Sequence, residues 1–221
     1  MYSVHLRGDS VKVYSVFMVY PAKIRREAIL EAAARMLEEG GLESVSIRGL
    51  ASRLGVVPNA LYRYFHHLEE LQAALSNEAA RRLLGDMEGV AGGKDAEAAL
   101  RAMCDSYVRF AAEQRHWYTA LMTRCERSME DSTWHVRLWE YIVGYVGQLS
   151  GAEKAAEGAV ALWAFLHGMA ALEEAGVFRA GKPATSYEWG LEAWFARARQ
   201  VPSLRDSGDG RGGLPSAEAL G

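Results

Sequence analysis

With 221 residues, half of them apolar and 24% charged, the chain has material for one large or two small domains around a sizeable core. No run of about 18 uncharged apolar residues is available to cross a bilayer, which excludes a membrane-spanning protein, and the balance equally excludes a collagen-like or wholly disordered chain. The net charge of −3 conceals an asymmetry, because residues 1–66 carry nine Lys or Arg against six Asp or Glu and the remainder sixteen against twenty-two, so the front is the part suited to an anionic partner.

Residues 1–21 read differently from the rest. Val11, Val13, Phe17 and Val19 alternate with Lys12, Tyr14, Met18 and Tyr20, a period of two with no second strand for it to join. The expectation is a loosely ordered extension, upstream of an alternative start at Met18. From Ile24 the period becomes helical: Ala28, Ile29, Ala32, Ala33, Met36 and Leu37 share one face, and Gly40-Gly41 ends the helix. Further helices are predicted over 46–54, 58–64, 67–88, 94–113, 115–126, 131–149, 152–176 and 185–199. Three glycines in 89–93, Ser150-Gly151, and Gly181-Lys182-Pro183 ahead of Thr185-Ser186 as N-caps supply the breaks. The tail from 202 to 221, rich in Gly, Ser, Pro and Asp, is expected to be disordered.

The stretch SIRGLASRLGVVPNALYRYF, Ser46 to Phe65, has the composition of two short helices crossing at a tight turn. Such a corner needs a small residue in the first helix, a glycine in the turn and an apolar anchor in the second; Ala51, Gly55 and Leu61 provide them in order. Pro58 suits the first position of the second helix. Pro58, Asn59, Ala60, Arg63 and Tyr64 are then left at or near its surface, where Asn59 can pair with adenine while Arg63 and the Tyr hydroxyls reach phosphates. A plain αα-corner would share the spacing.

Residues Arg25 to Leu75 resemble the N-terminal domain of TetR-family transcriptional regulators almost without gaps, and LYRYF at 61–65 is similar to that family's Leu-Tyr-x-His-Phe. The resemblance implies a three-helix DNA-binding domain over 22–66. It places Ser46 and Arg48 at the DNA-facing start of the second helix, Pro58 to Ala60 and Tyr62 against bases, and Tyr64 against a phosphate. Lys23, Arg25 and Arg26 around the start of the first helix and His67 at the start of the fourth complete the DNA-binding set. Four positions depart from the pattern. Gly49 stands for an acidic residue, Val57 for a capping Ser or Thr, Tyr64 for His and Leu68 for a phosphate-gripping Lys. Together they imply weakened phosphate anchoring.

Residues 67–201 are expected to form a second, helical unit for ligand binding and dimerisation. Ala164, Gly168, Ala171 and Ala175 make a stripe of small residues that lets another helix approach closely. ALWAFLHGMAALEEAGVF, 161–178, is similar to the Trp-x-x-x-His-Gly helix of one C-terminal subgroup of the same family. That likeness implies a four-helix dimer interface from the last two long helices, with Trp189, Trp194 and Phe195 as its bulk. Met103, Tyr107, Phe110, Trp117, Tyr118, Met122, Trp134, Leu138, Tyr141, Trp163 and His167 supply the aromatic and adaptable groups from which an apolar ligand pocket is built, although His167 can equally satisfy a buried carbonyl.

No HxxxH or CxxC pairing offers a metal site, and P-loop, GxGxxG and GxSxG fingerprints are missing, so neither a metal, a cofactor nor an enzymatic activity is expected. Cys104 and Cys125, too few for a disulfide framework, fit a reducing cytoplasm. The reading is an all-α homodimeric regulator, a repressor released from a palindromic operator by a small apolar ligand. The alternative is a helical ligand-binding or interaction protein whose helix-turn-helix no longer reads DNA.

Overall fold

The computed structural model describes residues 24–123, 133–178 and 184–200. The 1–21 extension, Lys23, Cys125, the Gly181–Pro183 break and the 202–221 tail lie outside the described residues. Every regular element within them is helical: α1 (Arg26–Gly40), α2 (Ile47–Leu54), α3 (Pro58–Leu61), α4 (Leu68–Ala91), α5 (Ala96–Glu113), α6 (Arg115–Met122), α7 (Thr133–Ser150), α8 (Ala155–Glu174) and α9 (Ala184–Arg199). Short 3₁₀ turns at Leu42–Ser44 and Ala152–Lys154 precede α2 and α8.

The apolar face of α1 is buried as its period requires, with Ile29, Ala32, Ala33 and Leu37 fully out of solvent. Leu50, Ala51, Leu61 and Phe65 join them in the small core beneath α2 and α3. Gly55 sits in the left-handed region (φ 66°, ψ 31°) with its N–H closing on α2, a conformation costly for any residue with a Cβ. Gly49 has a packing reason: a Cβ there would stand 3.0 Å from both the Met36 methyl and the Ser46 hydroxyl. Glycine thereby lets α2 lie close on α1 where the family carries an acidic side chain.

The central element is α4, which packs against α5, α6 and α7 as well as against α1. It runs past Gly89, where a break was predicted, and stops only at Gly92, because Met87 and Ala91 are both buried and keep the last turn on the core. Conversely α3 ends at Leu61 rather than 64. Residues 62–64 form a tight turn in which the Tyr64 and Phe65 N–H groups both close on the Leu61 carbonyl, drawn in by the full burial of Leu61 and Phe65. Thr185 and Ser186 do not cap α9, since the helix has already begun at Ala184.

By length and mean hydropathy (1.4) the stretch Ala152–Glu174 meets the composition test for a membrane span. In the fold one face of it packs on α5, α7 and α9 through Ala159, Leu162 and Leu166, while Val160, Trp163 and Leu172 on other faces are exposed. A Cβ at Gly158 would stand 3.0 Å from a Val146 methyl, and one at Gly190 of α9 would collide with the Phe165 ring at 2.3 Å, so the α7–α8–α9 packing depends on glycines at those two positions.

Candidate nucleic-acid interface and internal cavity

At the corner of α2 and α3, the side chains of Ser46, Arg48, Pro58, Asn59, Tyr62 and Arg63 are exposed, and Ala60 is half-buried. Tyr62 keeps 44% of its surface in solvent. The Ser46 hydroxyl accepts the Gly49 N–H at 3.1 Å, so α2 is capped without a capping box. Val57 gives α3 no side-chain cap, and Pro58 at the first position removes one of the donors that would need one. Arg25 is the exposed N-cap residue of α1, and Arg26 is also exposed, with its guanidinium 4.7 Å above the Phe65 ring. Arg53 is not free for DNA, since both arms of its guanidinium engage Glu39 on α1 and hold that carboxyl below its usual range.

Tyr64 departs from its expected phosphate role. Its half-buried hydroxyl gives its one hydrogen to the Ile24 carbonyl, and a phosphate oxygen can only accept. Tyr64 therefore ties the recognition corner to the entrance of α1. His67 is the N-cap of α4: Nδ1 accepts the Glu70 N–H at 3.2 Å, which leaves Nε2 on the exposed ring to carry the hydrogen. Glu70 reciprocates by accepting the His66 N–H at 2.7 Å. Burial works to raise the Glu70 carboxyl, and the His66 hydrogen bonds outweigh it and hold it low. The position where Leu68 replaces Lys thus lies between the His67 cap and the Glu70 carboxylate.

Behind this surface lies a cavity of about 280 Å³ lined by α4, α5, α6, α7 and α8 and open to solvent on one side. Met103, Tyr107, Met122, Leu138 and Trp163, expected from the sequence, line it. The other expected residues do different work. Phe110 is solid core one turn below. Trp117 faces the other way, toward α1. Trp134 carries the Arg137 guanidinium 4.7 Å over its ring, and Tyr141 packs edge-on to Tyr145 at 5.2 Å. Tyr118 and His167 stand behind the lining as a relay: the Trp163 indole N–H donates to the Tyr107 hydroxyl (3.3 Å), which meets the Tyr118 hydroxyl (3.3 Å), which meets His167 Nδ1 (2.6 Å). Burial raises both tyrosine pKa values, with the Tyr107 contact partly offsetting the effect at Tyr118, so both stay hydroxyls.

Leu83, Met87, Cys104, His135 and Trp139 were missed as lining residues. Leu83 and Met87 lie one turn apart on α4, and that spacing was readable. Cys104 is buried and its thiol is pushed up to about 12, so it remains protonated and inert. His135 Nε2 meets the Ser76 hydroxyl at 3.1 Å, and burial pushes its pKa down, keeping the ring neutral.

One cluster joins the two regions. Glu38 on α1 accepts from Arg82 of α4 (3.1 Å) and from the Trp117 indole N–H of α6 (3.0 Å), while the Arg82 guanidinium lies 3.9 Å over the Trp117 ring. Glu78 holds Arg81 and Arg82 from below; burial favours its neutral form, but the two arginines keep its pKa low. The neighbouring His116 ring would lie 3.1 Å from a Cβ at Gly41, so α6 abuts the end of α1 closely. The far end of the same short helix contributes Leu121 and Met122 to the cavity wall.

Ala164 and Ala171 on α8 and Ala175 at its C-cap are exposed, Gly168 has open space where a Cβ would lie, and Trp189 on α9 is 78% exposed. Trp194 and Phe195, expected to supply interface bulk, are used within the chain. Trp194 donates to the Gly158 carbonyl at 3.0 Å, and Phe195 is wholly buried beneath Arg101.

Two family models cover most of this architecture: bacterial regulatory proteins of the tetR family over residues 29–75, and the tetracyclin repressor-like C-terminal domain over 100–194. The chain belongs to the TetR family. It is a transcriptional regulator of the helix-turn-helix type. An uncharacterised HTH-type transcriptional regulator of Mycobacterium tuberculosis is 29% identical over 161 residues, 71% of this chain and 73% of that one. In fold it is similar to a protein of unknown function from Rhodococcus sp. RHA1 (TM-score 0.65, 22% identity, 83% of this chain and 100% of the other). It is also similar to a TetR variant from Acinetobacter baumannii solved in complex with minocycline (TM-score 0.58, 19% identity, 79% and 96%).

Proposed function

We propose that this regulator is a cytoplasmic homodimeric repressor whose residues 22–66 hold a near-palindromic operator and whose residues 67–201 bind a small apolar ligand that releases it. The observation that carries the reading is α6, with Trp117 bonded to Glu38 of α1 at one end and Leu121 and Met122 in the cavity wall at the other. A ligand that needs the wall displaced favours a state in which α6 and α4 shift against α1. It acts only by its difference in affinity between the two states.

Two copies apposed through the small-residue face of α8 and the exposed Trp189 would present two recognition corners to successive major grooves, about 34 Å apart. Asn59 and Tyr62 would then read base edges, and Arg48, Arg63, Arg25, Arg26 and His67 would grip phosphates. Fluorescence anisotropy tests the reading, with the full chain bound to duplex DNA from beside its own gene while apolar aromatic ligands are titrated in. Release of the DNA by a ligand that binds the protein is expected. Tight ligands that leave DNA affinity unchanged would overturn the release mechanism.

A further inference from the structure

The cavity has a definite polarity, and it is fixed by where hydrogens can go. Among the described residues that line it, none is Asp, Glu, Lys or Arg, so a carboxylate or ammonium entering it would lose water and meet no opposite charge from them. The lining donors are already engaged or weak. Trp163, 47% exposed at the rim, gives its indole hydrogen to Tyr107, Trp139, 36% exposed, has water within reach, and the Cys104 thiol is a poor donor.

The relay beside the wall offers one ordering in which each hydroxyl hydrogen has an acceptor. In that ordering His167 Nδ1 accepts the Tyr118 hydrogen. The Tyr118 oxygen then accepts the Tyr107 hydrogen. Tyr107 thus receives one hydrogen bond from Trp163, gives its own hydrogen away, and has one lone pair left. His135 is arranged in the same sense: Ser76 reaches the Leu121 carbonyl (3.5 Å) and takes the hydrogen of Nε2, leaving Nδ1 as an acceptor.

We propose that this cavity takes an uncharged, mainly apolar molecule carrying one hydrogen-bond donor of the phenol kind, which gives its hydrogen to the Tyr107 hydroxyl oxygen. The inference rests on the reading of the cavity as the ligand site and adds the ligand's chemistry to it. It also assigns Tyr118 and His167 as positioning residues, which act on a ligand only by holding the Tyr107 hydrogen away from it.

Titration calorimetry on the full chain tests this with four probes of one shape: naphthalene, β-naphthol, its methyl ether and β-naphthoate. β-Naphthol is expected to bind about tenfold more tightly than naphthalene or the ether, the scale of one buried hydrogen bond, and β-naphthoate the weakest of the four. Tyr107→Phe should erase the advantage of the naphthol. Tyr118→Phe should invert it, because a Tyr107 hydroxyl without its acceptor turns its hydrogen toward the cavity and favours the ether oxygen. A role in packing alone would not produce that inversion. Equal binding of naphthol and ether, tightest binding of naphthoate, or a Tyr118→Phe variant that keeps the original preference would overturn the donor assignment. If none of the four binds while the same sample still binds DNA, the cavity is not the ligand site, and the proposal falls with that reading.

Discussion

Between Ser46 and Phe65 the working side chains are those the fold leaves outside. A core of a few residues, all near in sequence, holds Asn59, Tyr62, Arg48 and Arg63 in solvent. The cavity is the reverse case, a wall collected from residues as far apart as Leu83 and Leu166 with almost every polar atom turned away and paired. The first region needs rigidity over short range, and its failures should be local. The second needs five helices to agree on one shape, so a change at one wall is felt at the others, and through Glu38, Arg82 and Trp117 it is felt at α1.

The contrast can be broken most severely at Phe65, which is fully buried. Phe65→Ala should cost about 3–5 kcal/mol of stability, read by urea denaturation, and should remove DNA binding with it. Asn59→Ala and Tyr62→Ala act on the exposed side of the same corner. Each should weaken specific binding by about 1–3 kcal/mol while the melting temperature and the dimer, checked by light scattering, stay as they are.

The link between regions is sharpened by Glu38→Gln, which removes the negative charge that pairs with Arg82 and accepts the Trp117 indole N–H. DNA affinity without ligand should change little, whereas the ligand-induced loss should shrink by about 1 kcal/mol, within the usual range of such coupling. A variant that releases DNA as fully as the parent would place the coupling elsewhere. Arg48→Ala and Arg63→Ala should each lower the slope of log affinity against log salt by about one, affecting all sequences alike.

The smallest effect concerns His135. Its pKa is lowered by burial in the folded chain, so below about 6.5, its ordinary value, the unfolded state binds the proton more readily. Stability should therefore fall as pH drops from 7 through 6 toward the lowered folded value, and the drop should be reduced in His135→Gln. Urea midpoints across that range measure it.

The helix-turn-helix was legible because its requirements are local and few: Gly55 needs a left-handed turn, Pro58 a helix start, and Leu61 and Phe65 a pocket one turn away. Periodicity could place the C-terminal helices. It could not say which of two buried aromatics faces a void, and so Phe110 and Tyr107, one turn apart on α5, looked alike. Trp117 was misread for a related reason, its partner Glu38 lying 79 residues away. Tyr64 looked like a surface donor because nothing in the local sequence reveals that the Ile24 carbonyl waits for its hydrogen. Trp194 and Phe195 were given to an interface since an amphipathic last helix carries no mark distinguishing a partner's face from its own chain's.

Selection of binding sites from a pool of random duplex DNA, using the full chain, tests the central claim most directly. The account predicts enrichment of near-palindromic sequences whose half-sites are centred about one helical turn apart, lost in the Asn59→Ala and Tyr62→Ala variants. A folded, dimeric protein that enriches no sequence over the starting pool would contradict it and would mark the corner of α2 and α3 as structure without readout.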